Sequence, residues 1–241
     1  MTPKEIVQAA FEADISPAMQ GKGFSYVPSQ FAYKRKLGVF TQIISITLSH
    51  KNTSEGIRFW SAFNVDSPRY NAWRKQNGMD KFQGHLGGCM DWNIPNWRSG
   101  GDHSTSFDFS APHQRADVLR DWLSRCLRAG LPYLESLSSW DGLGDDLVRW
   151  RWHWGRAADY FVIADRPDRA VSALEAGIEF LEAQDFSTSE GAHPILVSKK
   201  RRQAAERDQE VSSYRDRIET ITNSEPALDN PLPNRVKLRS E

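Results

Sequence analysis

Val39-Phe40-Thr41-Gln42-Ile43-Ile44-Ser45-Ile46-Thr47-Leu48-Ser49 is the stretch on which the fold turns. Its isoleucines and threonines are branched at Cβ, which restricts χ1 and suits a pleated strand better than a helix. Downstream, Ile57, Phe59, Ser61, Phe63 and Val65 alternate with Arg58, Trp60, Ala62 and Asn64, the period of a second strand. Aromatic residues occur on both sides of that alternation, which predicts cover over both faces. Upstream, Phe31-Ala32-Tyr33-Lys34-Arg35 reads as a third strand with Phe31, Tyr33 and Arg35 on one side of the pleat, preceded by Gly23-Phe24-Ser25-Tyr26. The glycine-rich stretch Gly84–Gly101 predicts an ordered irregular loop with a short strand near Cys89–Trp92, and Thr105, Phe107 and Phe109 predict a last strand.

Helical spacing flanks these strands. Thr2, Pro3 and Glu5 form the pattern of a capping box with proline at the first turn. Ile6, Val7, Ala10, Phe11, Ile15 and Met19 follow on one face, with a kink expected at Pro17 and an end at Gly21 and Gly23. Tyr70-Asn71-Ala72-Trp73 suggests one or two helical turns. Val118, Leu119, Trp122, Leu123, Cys126, Leu127, Leu134 and Leu137 make another stripe, bent or split at Pro132. Beyond Trp140 the periodicity is entirely helical. Leu143, Leu147, Trp150, Trp154, Ala157, Ala158 and Phe161 fall on one stripe, although Trp150, Trp152 and Trp154 also fit strand alternation. Ala170, Val171, Leu174, Ile178 and Leu181 form the next helix, and Lys199 to Ile221 the last.

The chain is therefore expected to be α+β: an antiparallel sheet flanked by helices over residues 1–140, an all-helical appendix over 141–222, and a disordered tail over 223–241, where three prolines and few apolar residues leave little to bury. Thirty-one basic and 31 acidic residues balance, so no whole-protein field draws it to nucleic acid or an anionic membrane. The balance is uneven along the chain: 12 basic and 7 acidic groups over residues 1–98, 9 and 16 over 99–193, and 10 and 8 over 194–241. Either the opposed segments attract each other, which is the simpler reading, or the acidic middle faces a basic partner. No apolar run approaches the roughly 18 residues of a membrane span, the first residues do not read as a signal peptide, and Cys89 and Cys126 do not suggest a disulfide framework. A cytoplasmic protein without a membrane partner is the expectation.

The series Gly23-Phe24, Phe31-x-Tyr33-x-Arg35, Gln42-x-Ile44-x-Ile46-x-x-Ser49, Phe63-Asn64-Val65, His85-Leu86 and Leu131-Pro132-Tyr133-Leu134-Glu135 resembles the bacterial family called domain of unknown function 4304, over about residues 3–150. The resemblance implies an α+β domain with an antiparallel sheet, and no activity or catalytic residue. A second one is shorter. Trp154, Ala157, Ala158, Phe161, Ala170, Leu174 and Gly177 are similar in spacing to a tetratricopeptide unit, over about 154–183, with Ala157 and Ala158 where Leu-Gly is usual and no closing proline. An ordinary helical hairpin explains the same residues.

No motif concentrates chemistry. His85, Cys89, Asp91, Asp102, His103 and Asp108 lie near one another in sequence, but none of their spacings is that of a structural zinc site or a metalloprotease helix, so neither metal nor cofactor is expected. Cys89 with His85 or His103 would make a nucleophile and base if the thiol were exposed in an electropositive setting, and Arg35 or Arg58 would then hold an anionic substrate of a hydrolase. Asp145-Asp146 fits a helix N-terminus; Gly84-x-x-Gly87-Gly88 and Gly100-Gly101 lack the Lys-Ser/Thr of a phosphate loop. Lys199-Lys200-Arg201-Arg202 is basic enough to suggest weak nucleic-acid binding, yet Glu206, Asp208 and Glu210 follow at helical spacing and predict a solvated, ion-paired face.

Nine tryptophans remain to be placed. Trp60, Trp122, Trp150 and Trp154 fall on apolar patterns and are assigned to cores, whereas Trp73, Trp92 and Trp97 sit among polar or glycine-rich neighbours. If exposed, those three would anchor a partner, together with Arg35 and His85, or would stack on a sugar ring or base; the alternative is that they fold back over the sheet. The expectation is a non-catalytic protein-interaction domain that binds through the sheet edge, the Gly84–Gly101 loop or the helical appendix, by analogy an antagonist or accessory of a bacterial toxin or defence system. Homo-oligomerisation stays open.

Overall fold

Thr2 caps the first helix as its sequence predicts: its own N–H donates to Glu5 Oε2 at 2.7 Å, and its hydroxyl accepts from the Glu5 N–H at 3.3 Å. The computed structural model describes residues 1–53, 55–98, 105–187 and 193–223. Helix α1 (Pro3–Ala10) runs into a π-helical turn at Phe11–Ile15 and on into α2 (Ser16–Gln20). The wide turn is the answer to Pro17. A proline ring crowds the carbonyl one α-turn back, and its missing N–H leaves that carbonyl without a partner. Here the Ser16 N–H reaches back to the Phe11 carbonyl, and the helix bends without breaking. The same device recurs before Pro132. Helix α4 (Arg115–Arg125) widens at Cys126–Gly130, where the Leu131 N–H donates to the Cys126 carbonyl before α5 (Leu131–Ser136) begins.

The strands are β1 (Ser25–Val27), β2 (Ala32–Leu37), β3 (Phe40–Leu48), β4 (Arg58–Asp66), β5 (Gly87–Met90) and β6 (Phe107–Asp108). The first five are antiparallel neighbours in chain order, and β6 pairs with the start of β4. Phe31 does not join β2: a 3-10 turn at Pro28–Gln30 leaves it left-handed, with φ of 47°. Helix α3 (Pro68–Gln76) follows β4, capped by the Ser67 hydroxyl.

Register sorts the side chains. Tyr33, Ile44, Phe63 and Cys89 form one cross-strand row, and Arg35, Gln42, Val65 and Gly87 the next, all on the same face. Helices cover this face. Phe11 of the first π turn meets Phe59 and Trp122 edge-on at 5.3 and 5.0 Å. Gly130 lies so close to the sheet that a Cβ there would fall 2.4 Å from the Phe63 ring. Helix α6 (Trp140–Arg149) brings Leu143 against Gly87 of β5. Removing each such aromatic from water contributes about 2–3 kcal/mol, which is what holds helices to sheet.

The opposite face departs from expectation. Trp60, Ala62, Asn64 and Asp66 of β4 and Thr41, Ser45 and Thr47 of β3 are only half-buried, so the cover predicted for both faces exists on one. The antiparallel α+β architecture itself is as the sequence predicts.

The chain divides into two compact units, with the break after Arg149, so α6 belongs to the sheet-bearing unit and not to the helical one expected from residue 141. The reason lies in Leu143 and Leu147, which are buried in that unit. The single stripe expected from Leu143 to Phe161 is also interrupted. Arg151 and His153 are left-handed, with φ of 53° and 54°, which fits neither a continuous helix nor a strand.

In the second unit α7 (Trp154–Ile163) and α8 (Pro167–Glu182) pack on each other and α9 (Pro194–Asn223) packs on α8. Gly177 is the point of closest approach: a Cβ would lie 2.9 Å from Trp154 Cβ and 2.8 Å from the Tyr214 ring. Arg217 ties α9 to α7, donating to the Gly155 carbonyl at 2.9 Å and to Asp159 at 2.6 Å. Asn223, expected in the tail, is the last residue of α9. Residues 224–241, like Gly100, Gly101, Asp102 and His103, lie outside the described residues. No described helix is long and apolar enough to cross a membrane.

Candidate functional site

The half-exposed sheet face is assembled from four strands. Register places Lys36, Thr41 and Asp66 in one row, Lys34, Ile43, Asn64 and Gly88 in the next, then Ala32, Ser45, Ala62 and Met90, and finally Thr47 and Trp60. Ala32 and Ile43 are buried; the others retain partial exposure, and Lys36 is fully out. The centre is thus small and polar. At one end Trp60 meets Trp92 edge-to-face at 6.3 Å, beside Met90. At the other end His85 Nδ1 pairs with Asp66 Oδ1 at 2.7 Å, and that hydrogen bond, ahead of the opposing effect of burial, holds the imidazole pKa above its usual value. Gly88, with φ of 132°, has no room for a side chain: a Cβ would sit 2.1 Å from the Phe63 carbonyl oxygen. The face is therefore flat where β4 and β5 meet.

The residues expected to anchor a partner have separate fates. Trp92 and His85 flank this face. Trp73 is half-buried and stacks on Tyr70 at 6.2 Å, away from it. Trp97 is a correction: it is 2% exposed, packed against Phe63 at 5.3 Å, and serves the core. Arg35 is engaged within the fold. Its Nε donates to Gln42 Oε1 at 2.8 Å, its two terminal nitrogens reach the Lys22 carbonyl and Glu135, and its guanidinium lies 4.6 Å from the Phe24 ring centre. Gln42, fully buried, passes the link to α5 by donating to the Leu134 carbonyl at 3.0 Å. Two tryptophans assigned to cores are corrections in the other direction: Trp60 is half-exposed and Trp150 is 40% exposed, whereas Trp122 and Trp154 are buried.

The ionisable groups of the covered face are arranged for packing. Burial pushes the Cys89 thiol up to about 11, so almost none is thiolate at neutral pH. Cys89 lies in the row of Phe63, on the covered face, whereas His85 pairs with Asp66 on the other; the sheet stands between thiol and imidazole. Tyr133 donates to Asp146 at 3.1 Å and is itself held far above the usual phenol value by burial. Asp91 accepts from the Ser61 N–H at 2.7 Å, satisfying β4 beyond the point where β5 stops pairing with it, and the Trp122 indole donates to the Ser61 hydroxyl at 2.6 Å. Desolvation raises Asp91 to about 6. It floors a cavity of about 310 Å³ walled by Trp97, Phe107, Gln114, Asp121 and Arg125. Among the described residues no three His, Cys, Asp or Glu side chains are placed to hold a metal ion.

The basic run on α9 is solvated as expected, with Arg202 paired to Glu206 at 3.6 Å and Lys200 bonded to the Ser187 carbonyl. Comparison with protein-family models, with curated proteins and with solved structures returned no match.

Proposed function

We propose that this protein is a non-catalytic protein-binding module whose contact surface is the half-exposed sheet face. The observation that carries the reading is that one face of four strands is mostly half-buried among the described residues, with Trp60, Met90 and Trp92 at one end and charged residues at the other. Tryptophan and methionine are enriched at protein interfaces, and a central aromatic anchor with a polar rim is the usual anatomy of a contact. The kinship with the domain of unknown function 4304 family belongs to the same proposal: its motif residues Tyr33, Ile44, Phe63, Val65 and Leu134 are buried and suit a shared fold, whereas Asn64 lies on the open face and His85 flanks it. The tetratricopeptide likeness of α7 and α8 is likewise proposed on their close packing alone.

The rival reading, a hydrolase using Cys89 with His85, meets a protonated thiol on one side of the sheet and an imidazole on the other. A photo-crosslinking residue at Thr47, in native lysate, tests the proposal against the same probe at Asp117 on α4. A discrete adduct with a second protein from position 47 alone, lost in a Trp60→Ala, Trp92→Ala background, is the expected result. Equal labelling from both positions, or none from 47, overturns it; an adduct between two copies identifies the partner as this chain.

A further inference from the structure

Beyond the sheet face, a second and separate surface presents a different chemistry. Trp150-Arg151-Trp152-His153 is an exposed run, with Trp150 40% and Trp152 69% accessible, and Arg151 and His153 also exposed. Large indoles are rarely left so far out of a fold that has partners for them. Backbone geometry puts them there: the left-handed conformations of Arg151 and His153, φ 53° and 54°, suit neither side chain and interrupt the helix that the spacing of the surrounding apolar residues favours. No acidic residue occurs from Trp150 to Ala158, and the next, Asp159, is held by Arg217. Among the described residues, the acidic group that acts on His153 is Glu210 of α9, whose carboxylate already accepts from the Tyr214 hydroxyl at 2.5 Å.

We infer that Trp150, Arg151 and Trp152 form a contact site for single-stranded nucleic acid, with bases stacking on the indoles and phosphates meeting the Arg151 guanidinium. Alternating rings and cations match the alternating bases and phosphates of an unpaired strand, and stacking tolerates any base because each has a π face. A duplex keeps its bases stacked on one another and offers the rings nothing. The balanced overall charge gives no long-range steering, so the site acts at short range and its affinity is modest.

The full chain is titrated against a labelled oligothymidylate at low salt, read by fluorescence anisotropy. The expected result is saturable binding that weakens with salt, falls about tenfold in Trp152→Leu, as the loss of one base stack requires, and is largely kept in Trp152→Phe. Arg151→Gln reduces both the affinity and the slope against salt. Trp152 is on the surface, so unchanged circular dichroism shows that the variants fold. Absence of binding at low salt, or affinity unchanged in Trp152→Leu, overturns the inference. So does polyglutamate or a duplex of the same length competing as well as the single strand; the former assigns the run to an acidic protein. Binding to anionic vesicles in preference to the oligonucleotide overturns it too. Because all these variants leave the sheet face intact, crosslinking from position 47 is unaffected whichever way they fall.

Discussion

The two faces of the sheet are made by alternate residues of the same strands, yet one carries Tyr33, Ile44, Phe59 and Phe63 fully buried and the other carries Trp60, Ser45, Thr47 and Asn64 half in water. Strand propensity does not separate them. Both hold aromatic and β-branched residues, and either would pass as the inner face of a sandwich. What separates them is shape. Gly130 and Gly87 on the covered side remove the Cβ atoms that would keep α5 and α6 away, and the Arg35–Gln42–Leu134 relay satisfies the polar groups that such close cover strands. The open side has small residues of its own, Ala32, Ala62 and Gly88, but among the described residues no helix glycine packs on them. An alternating strand therefore shows that two faces exist, and the helix glycine packed on one of them, with the buried amide of Gln42, shows which is covered.

That contrast can be broken in graded steps. Phe63→Ala, on the covered face, is expected to cost about 3–5 kcal/mol in urea unfolding, since it empties the space between Gly130 and Trp97; a loss below about 1 kcal/mol would mean that the helices do not depend on that face. Gly88→Ala places a methyl group on the Phe63 carbonyl at a backbone angle reserved for glycine, and a loss on the order of 3 kcal/mol is expected by the same measurement.

Asp91→Asn sharpens the comparison through pH. The folded carboxyl, at about 6, sits above its unfolded value, so the protonated form is the one the fold prefers. Its contribution is full below the unfolded pKa of about 4 and is lost as pH rises through 6. The asparagine variant should gain on wild type as pH rises from 4 to 7, by on the order of 2 kcal/mol, in melting followed by circular dichroism. A difference that does not change with pH would place the carboxylate in water. Smallest of all, Trp60→Ala on the open face should cost about 1 kcal/mol or less while abolishing the crosslink from position 47.

Much of the fold was legible. Thr2 and Glu5 declared their cap, β3 its length, and Ile57–Val65 its alternation, because each of these rests on local chemistry within a few residues. The candidate surface was legible only in part. Trp92 and His85 were marked by their polar neighbours, but Trp60 and Trp150 were hidden inside apolar patterns that local spacing assigns to a core. Trp97 erred the other way: surrounded by polar and glycine residues in sequence, it reaches Phe63 and Phe107 across the sheet. The break at Arg151 and His153 escaped notice because neither glycine nor proline marks it.

By itself the sequence determined the elements, the α+β class, the antiparallel pairing of hairpin-linked strands and the two residue sets that alternate along each strand. Only the tertiary structure decided which set is buried, that α6 sides with the sheet, and that Cys89 and His85 stand on opposite sides of it. The reason is one of range. Capping, strand propensity and alternation act between residues a few positions apart, whereas burial depends on which helix arrives from about 50 to 90 residues away in sequence and how closely small residues such as Gly87 and Gly130 let it approach.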